Sequence, residues 1–491
     1  MNAPSSPHAE SGTTRARYSV LSTRDPVHPK SVISRGALPQ RNSMLPVLVP
    51  AALIAIQPQA QSAMTAPQTQ QGASPSGETD THLASDRTDA TDLASASVDE
   101  AQTQHTEQPS PTPKPKSKLK LGAAVRGRAD IRFNDVDSSG GQRTSSHLSF
   151  DTLALTADYD SDKFFGAAQY RFYGGSFIYG KNAGYKGYPG EVQYLMYAYA
   201  GAKLSESDSV TLGIQPVPFD DRYWGGSILD DLGFVYGMEE TYNLGIKYKR
   251  QTSNLRVELG LFPSSGPAVK GISRDGARYS TNIARADSYV PDGSQNDERN
   301  MVIGNVQYAL VNDGKTSLKA TASGWISSIY NFDTGKNGSK HLFAFSLTGS
   351  HGPWSSKALV ARQDIDPRNP GRNDMITVSG FDGSYNIAAK GTYAFGEIGR
   401  TVNTGSFPFD AYIYANYGRF MKDAAGFKDS ERFDLGAVWT SKDKGRVKIY
   451  SEFLLGRNDP YVGAGQYVSG AAQGGDNRWK AAFMMIFGYY F

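Results

Sequence analysis

The chain has 491 residues, a formal net charge of +3 and no cysteine. The balanced charge gives no indication of a nucleic-acid partner, and the absence of cysteine excludes disulfides, thiol catalysis and cysteine-based metal sites. The 52 glycines, 28 tyrosines and 23 phenylalanines favour a fold with many turns and many aromatic side chains on its surface.

The first part of the chain, residues 1–63, is an N-terminal extension with one apolar segment. Residues 1–43 are polar and rich in Pro, Ser and Arg, which predicts disorder. The apolar run 44–56 is too short to cross a bilayer as a helix and is typical of the core of a signal peptide. Small residues predict cleavage near Ser62 or Ala63, and the long distance from Met1 suggests a start nearer Met44 or an unusually long leading region.

Residues 64–117 are rich in Gln, Thr, Ser, Ala and Pro and contain few large apolar side chains. Such a segment cannot bury enough apolar surface to offset its chain entropy. It ends in a basic, Pro-rich piece at 111–116, which favours a stiff, extended backbone. We therefore predict a disordered tether, periplasmic if the rest of the chain lies in the outer membrane.

Strand-like alternation begins at residue 118. Between 119 and 133 the odd positions are mostly apolar, whereas the even positions include Lys120, Arg126, Arg128, Asp130 and Arg132. A period of two predicts a strand with one face on water and the other on a core or on lipid. The same alternation recurs through residues 118–491, which predicts an all-β fold.

Short polar turns alternate with long irregular segments along this region. The predicted turns are at 160–162, 204–208, 251–254, 312–314, 351–354, 399–407 and 441–445. The predicted loops are at 134–146, 174–190, 216–239, 263–298, 330–340, 365–383, 422–429 and 458–477. This layout predicts a transmembrane antiparallel up-and-down β-barrel of about 16 strands, with the turns on the periplasmic side. A strand at 384–398 belongs to this prediction, and the apolar piece 375–378 is assigned to a loop.

The last predicted strand, 478–491, has one fully apolar face and one mixed face. Trp479 stands at one end and Tyr489 to Phe491 at the other, where aromatic girdles of a membrane barrel lie. Its end on a terminal aromatic resembles the closing strand of Gram-negative outer-membrane barrels. In those proteins the barrel-assembly machinery recognises this end, which implies an assembly signal at Tyr489 and Phe491.

A second resemblance lies at 210–248. A strand leads into Pro216-Val217-Pro218-Phe219, a long loop follows, and the chain returns through Glu240-Thr241-Tyr242 into a new strand. This stretch resembles bacterial outer-membrane porins, the broad superfamily that includes phosphate-selective and carbohydrate-type porins. The resemblance implies an outer-membrane channel for passive diffusion of small hydrophilic solutes, with no enzymatic activity and no cofactor. A homotrimer is one assembly that it implies, and the scattered basic residues do not form the dense ladder of a phosphate-selective porin.

Selectivity in such a channel would come from charges at its narrowest zone. The candidate constriction is loop 216–238, with charged residues Asp220, Asp221, Arg222, Asp230 and Asp231. The candidate pore-lining residues of the opposite wall are Arg126, Arg128, Asp130, Arg132, Arg171 and Arg256. Opposed acidic and basic walls would create a transverse field, whereas the alternatives are a solvated loop surface and arginines that only fill the lumen.

Other classes of function stay open at this stage. A non-channel barrel, an adhesin or structural protein, would need a compact apolar loop or helix inside, and no single loop has that pattern. A barrel lipase would have to use His147 or His341, but no nucleophile elbow accompanies them. We expect no metal site, because no histidine lies at ligand spacing from a second ligand, and no phosphate-binding loop occurs. A soluble all-β sandwich is a further alternative.

Overall fold

The computed structural model describes residues 117–136, 142–174, 188–220, 231–266, 278–286, 290, 292–381, 383–463 and 467–491. The predicted N-terminal extension and nearly all of the predicted tether lie outside these residues, so both stay predictions. Within these ranges, no helix is long and apolar enough to cross a lipid bilayer.

The described residues form nineteen strands and one short helix. The strands are β1 Lys118–Val136, β2 Gln142–Asp160, β3 Phe164–Tyr173, β4 Val192–Lys203, β5 Asp208–Pro216, β6 Tyr242–Gln251, β7 Leu255–Ser265, β8 Arg278–Ile283, β9 Asn296–Asn312, β10 Thr316–Asn331, β11 Asn337–His351, β12 Trp354–Asp366, β13 Met375–Phe381, β14 Gly383–Ala388, β15 Lys390–Val402, β16 Phe409–Lys422, β17 Ser430–Ser441, β18 Val447–Arg457 and β19 Trp479–Tyr490. The helix is α1, Leu232–Val235.

Sixteen of these strands close into one barrel, in the order β1 to β7, β9 to β12 and β15 to β19. Each strand pairs antiparallel with the next, and β19 pairs with β1 from Ala124↔Tyr490 to Arg132↔Ala482. The seam is extended by two backbone hydrogen bonds of 2.8 and 2.9 Å between Ala123 and Phe491. A closed sheet has no unpaired edge, as a membrane-spanning sheet requires. The predicted all-β barrel of about 16 strands is confirmed.

Side chains alternate between the two faces of the barrel. On β19, Trp479, Phe487 and Tyr489 are exposed, whereas Lys480, Met484 and Ile486 are buried. The other strands expose a belt of large apolar side chains in the same way, among them Leu121, Leu155, Leu212, Leu261, Val306, Phe345, Val360, Ile398 and Leu435. An exposed apolar belt of this extent needs lipid as its solvent, so the outer face spans a bilayer.

The short connections, which we call the turn end, lie at 161–163, 204–207, 252–254, 313–315, 352–353, 403–408 and 442–446. At the Asp313-Gly314 turn, the Asp313 carboxylate accepts hydrogen bonds from the N–H groups of Lys315 and Thr316, at 3.0 and 2.6 Å. Gly314 has φ 82°, the left-handed region that a glycine adopts without strain. Most predicted turns lie within a few residues of these positions.

One predicted strand is partly wrong. The barrel strand expected at 384–398 begins only at Lys390, while residues 383–388 form β14 in a separate three-stranded sheet with order β14-β13-β8. All six residues of β14 are buried. A strand covered on both faces has no lipid-facing or water-facing side, so it lacks the alternation that marks the barrel strands.

This small sheet belongs to a structure that fills part of the barrel. Backbone N–H groups of Asn386 and Ala388 donate to the carbonyls of Val468 and Ala471, at 3.0 and 2.9 Å, which adds another segment to β14. The Tyr385 hydroxyl donates to the carbonyl of Val235 in α1 at 2.8 Å. We call β8, β13, β14, α1 and residues 467–472 together the plug.

The plug and the inner barrel wall share one apolar core. Plug residues in it include Leu232, Val235, Ile376, Val378, Ile387 and Ala471, and barrel residues include Met301, Ile303, Trp325, Leu342, Leu359, Tyr393 and Phe420. Because the barrel residues are inward-facing, the plug lies inside the lumen. The sequence shows no single loop with the compact apolar pattern of a plug, and the structure has a plug without one, because its apolar residues come from four segments.

Candidate functional site

The inward face of β1 carries a row of charged side chains. The Nε of Arg126 lies 2.8 Å from an oxygen of Asp151, and its NH2 group donates to the Tyr173 hydroxyl at 3.2 Å. The Nε of Arg128 contacts both oxygens of Asp130, at 2.8 and 2.9 Å. Arg132 follows on the same face of β1, two residues beyond Asp130. Arg126 and Arg128 are engaged by carboxylates and a hydroxyl of their own wall, which fixes their orientation.

Arg171 connects this wall to the plug. It donates to the Tyr173 hydroxyl at 2.9 Å and to the side-chain oxygen of Gln169. Its guanidinium carbon lies 5.0 Å from the centre of the Tyr279 ring, which belongs to β8. Arg256, on the inward face of β7, lies 3.7 Å from an oxygen of Glu258. Whether these residues select a solute stays a prediction.

Asp220 is held inside the barrel by four neighbouring strands. Its backbone N–H donates to Ser323 Oγ at 2.9 Å, and its carbonyl accepts from Asn305 Nδ2 at 2.8 Å. Its carboxylate accepts from Ser346 Oγ at 2.5 Å and pairs with Lys357 Nζ. We call residues 217–220 the strap. Asp220 has φ 58°, a conformation that this set of contacts maintains.

Asp231 caps the N-terminus of α1. Its Oδ1 accepts from the N–H of Gly233 at 2.5 Å and from the Tyr393 hydroxyl of β15 at 2.8 Å. Both ends of the predicted constriction loop therefore contact the inner wall. The remaining predicted residues of this loop, Asp221, Arg222 and Asp230, lie outside the described residues.

Aromatic side chains that the sequence analysis did not single out join the plug to β3, β4 and β6. The cluster contains Tyr173, Tyr194, Tyr197, Tyr242, Phe234, Tyr279 and Phe381. The Tyr173 and Phe381 ring centres are 5.8 Å apart. The predicted strands at 163–173 and 191–203 carry tyrosines at several inward positions. This repetition was the sequence feature that could have indicated an aromatic cluster inside the barrel.

On the opposite side, Tyr236 stacks on Phe420 with ring centres 3.6 Å apart. Its hydroxyl donates to the Ala471 carbonyl at 2.9 Å and lies 3.0 Å from Ser430 Oγ. Burial raises the pKa of the Tyr236 hydroxyl well above its usual range. The plug is thus joined to the wall at β16 and β17 by stacking and by hydrogen bonds that need a neutral phenol.

Toward the turn end the interior opens. A cavity of about 850 Å³ lies at the ends of β1 to β6, and charged residues of both signs line it, including Lys118, Lys120, Asp158, Lys203, Asp208 and Lys249. Among the described residues, no group of three or more histidine or acidic side chains could hold a metal ion. The described interior therefore has a wet, charged entrance at the turn end and a packed zone around the plug.

No protein-family model matches this sequence. No curated protein matches it either. Some solved structures are similar to it at low identity. The outer membrane channel DcaP of Acinetobacter baumannii is 10% identical, with a TM-score of 0.49, covering 76% of this chain and 97% of that chain. The anion-selective porin from Comamonas acidovorans is 13% identical, with a TM-score of 0.44, covering 77% and 100%. The trimer form of OmpT from Vibrio cholerae is 12% identical, with a TM-score of 0.44, covering 76% and 99%.

The barrel itself defines the class of protein. Sixteen antiparallel strands close without an edge, a belt of apolar side chains faces outward, and charged side chains face inward. Only outer-membrane-type β-barrels combine these features. The chain is an outer-membrane β-barrel protein.

Proposed function

We propose that this protein is a porin-type channel through which small hydrophilic solutes diffuse across the outer membrane. The observation that supports it is the division of the inner wall into two chemically different halves. The plug packs against apolar side chains of β9 to β12, β15 and β16, whereas β1 to β3 present arginines, carboxylates and hydroxyls. Hydrophilic solutes need a polar wall, so the path would follow β1 to β3 beside the plug.

The narrowest zone of this path would be formed by loop 216–238. Asp220 and Asp231 hold its two ends against the inner wall, on the side opposite the arginines of β1 and β3. Negative and positive side chains facing each other across a narrow passage would orient dipolar solutes and reduce discrimination by net charge. The role of the arginines would then be electrostatic, without any bond-making chemistry.

Single-channel recording in planar bilayers tests this proposal. We expect ohmic steps from the purified full-length protein, and a measurable reversal potential in a KCl gradient. Replacement of Asp220, Asp221 and Asp231 by asparagine should shift that potential toward anion preference. An unchanged reversal potential would reject the loop as the constriction. The triple Asp313→Asn, Asp333→Asn, Asp443→Asn variant is the matched control, because it removes the same number of charges from exposed connections of the barrel.

A second candidate function rests on the plug. Every described residue of β14, and all of β13 except Phe381, is buried, and this packing resembles a sealed interior more than a loosely folded loop. A non-channel barrel, with an adhesive or structural role, would have such an interior. Replacement of residues 375–388 by a short Gly-Ser linker separates the two functions, because β12 pairs directly with β15 and closes the barrel without the hairpin.

A channel should conduct before the deletion and conduct more after it. A sealed barrel should be silent before the deletion and conduct only after it. Assembly as a homotrimer and recognition of the last strand by the barrel-assembly machinery belong to the same proposal. Crosslinking of the protein in native outer membranes would reveal the trimer as a band at three times the monomer mass.

A further inference from the structure

A buried carboxylate on β17 has no hydrogen-bond donor. The side chain of Asp434 has no exposed surface, and neither of its oxygens accepts a hydrogen bond within the described chain. Neither of the two residues that pair with Asp434 across the sheet donates a hydrogen bond to it. Leu454 of β18 is apolar, and the Asn416 amide of β16 donates instead to Glu397 at 3.3 Å. An ionised carboxylate in this position is strongly disfavoured unless a cation joins it.

A second open acceptor comes from the plug. One oxygen of Asp231 accepts two hydrogen bonds, whereas its Oδ2 is buried and accepts none. The Tyr393 hydroxyl that holds Asp231 lies 2.9 Å from the position that a Cβ on Gly418 would take. Gly418 of β16 pairs with Arg432, two residues from Asp434. The two carboxylates are near enough to interact electrostatically.

The charges around this point do not balance among the described groups. Arg432, the guanidinium on the same strand, donates to both oxygens of Asp459, at 2.6 and 2.9 Å. Glu452 of β18 adds a carboxylate, which accepts from the Tyr414 hydroxyl at 2.6 Å. The interface between plug and wall is therefore acidic, and Asp434 and Asp231 are the members with oxygens still open.

We propose that Asp434 and Asp231 bind a primary ammonium group between the plug and the barrel wall. Three open oxygens, two on Asp434 and one on Asp231, match the three N–H donors of such a group. A metal ion fits less well, since the described side chains provide no three-ligand group for one. The inference goes beyond the proposed channel function and does not rest on it, because Asp434 lies on β17, away from the path along β1 to β3. The ligand would be a small molecule that carries a primary amine.

A bound ammonium group would also join two parts of the protein. Asp231 belongs to the segment that leads into α1, and Asp434 belongs to the barrel. Without the cation, two negative charges face each other across the contact between them, and with it the contact is bridged. Binding should therefore stabilise the folded protein by mass action, by RT ln(1 + c/Kd) at ligand concentration c, which grows with the logarithm of the ligand concentration above Kd.

The test measures binding without relying on conduction. Full-length protein in detergent is titrated with methylammonium chloride while its thermal unfolding is followed. Tetramethylammonium chloride at equal ionic strength is the comparison, because it carries the same charge but no N–H donor. We expect a rise in Tm with methylammonium only, increasing with the logarithm of its concentration above Kd. The fitted Kd should weaken about tenfold or more in Asp434→Asn, the size of one lost charge-assisted hydrogen bond. It should stay unchanged in Asp313→Asn, at a turn.

Equal shifts with both salts, or an unchanged Kd in Asp434→Asn, would overturn the inference. A third result would also overturn it: no change in the Tm of the wild-type protein with methylammonium, together with a higher Tm for Asp434→Asn than for wild type. Asp434 would then be a protonated carboxyl. If Asp434→Asn does not fold, Asp231→Asn serves the same purpose from the plug side. Conductance is recorded separately: binding without conductance rejects the channel, whereas conductance without binding rejects the ammonium site.

Discussion

Buried charges in this barrel are held by partners from distant strands. Asp220 of the strap is matched by Lys357 of β12, and Arg432 of β17 is matched by Asp459 of the following loop. All four side chains are almost completely buried. Removal of one member takes an opposite charge away from a buried partner, which is more damaging than loss of both. These pairs therefore fix where the strap and the loops lie on the wall.

The first prediction concerns Lys357. The substitution Lys357→Met keeps the apolar stem but removes a buried ammonium that pairs with the Asp220 carboxylate, so we expect a loss of about 3–5 kcal/mol of unfolding free energy. Urea unfolding followed by tryptophan fluorescence measures it. Lys319→Met is the matched control, because Lys319 is an exposed inward residue of β10, two strands from β12 in the barrel. Equal losses of unfolding free energy in the two variants would contradict a stabilising ion pair between Lys357 and Asp220.

The second prediction concerns Tyr385 of the plug. Burial raises the pKa of its hydroxyl to about 12, while hydrogen bonds with Thr281 and Tyr461 act in the opposite direction. The hydroxyl of an unfolded tyrosine has a pKa of about 10, so the folded protein keeps the Tyr385 proton up to a higher pH than the unfolded chain does. The stabilisation is complete below about pH 10 and is lost as the pH rises toward about 12.

Tyr385→Phe should therefore flatten the fall in unfolding free energy between neutral and strongly alkaline pH. It should also lower stability at neutral pH by about 1 kcal/mol, through loss of the hydrogen bond to Val235. Tyr489→Phe, on an exposed side chain of the lipid-facing surface, provides the comparison. An alkaline profile that is the same in both variants would show that Tyr385 is accessible to solvent.

At the scale of elements, β19 both closes the barrel and carries the predicted assembly signal. Tyr489 is 46% exposed and Phe491 is 61% exposed, so neither side chain packs in the interior. The seam depends instead on backbone hydrogen bonds, including those between Phe491 and Ala123. If the predicted signal is used, recognition during assembly and stability after assembly depend on different atoms at this end of the chain.

The third prediction distinguishes the effect of the Phe491 side chain on assembly from its effect on stability. Phe491→Ser should reduce the amount of heat-modifiable barrel in the outer membrane of growing cells several-fold. After refolding in detergent, its unfolding free energy should change by less than about 1 kcal/mol, because an exposed side chain is lost. Phe407→Ser, on a side chain 51% exposed in the 403–408 turn, should leave both quantities unchanged. If both variants assemble in equal amounts, Phe491 is not part of the assembly signal.

The barrel strands could be predicted because alternation reports the environment of each strand locally. Lipid on one side and polar groups on the other leave a period of two, as in residues 119–133. β14 could not be predicted, since all its residues are buried and the pattern is absent. The start of β15 at Lys390 was missed for the same reason: the preceding apolar residues were assigned to the barrel.

The carboxylates of the candidate site could be predicted from the sequence, but their hydrogen-bond and ion-pair partners could not. Asp220 and Asp231 stand in one loop after a recognisable strand. Lys357 follows Asp220 by 137 positions, and Tyr393 follows Asp231 by 162. No local pattern links residues so far apart, because they meet only when the barrel closes. Asp434 was missed because one carboxylate on an inward face resembles any other pore-lining residue.

At the scale of the whole molecule, short turns lie at one end of the barrel and the long connections at the other. The fourth prediction uses the absence of cysteine, which makes single introduced thiols specific reporters. A membrane-impermeant maleimide should label Gly371→Cys on intact cells, because this loop glycine has open space around it. Glu206→Cys, in a turn, should react only after the outer membrane is opened.

Ser379→Cys, buried in β13, should react in neither case while the plug is in place. Labelling of Glu206→Cys but not Gly371→Cys on intact cells would mean that the barrel has the reverse orientation. Rapid labelling of Ser379→Cys would mean that the plug exchanges with a solvated state.

The plug is assembled from segments spread over half of the sequence, and its last piece, 467–472, directly precedes β19. Its core therefore has a high contact order, and its final contacts wait for the same stretch of chain that completes the β1–β19 seam. Closure of the wall and filling of the lumen should then occur as one cooperative event. Intermediates that lack β19 would expose two apolar surfaces at once, one meant for lipid and one meant for the interior, and would depend on chaperones for longer than an unfilled barrel would.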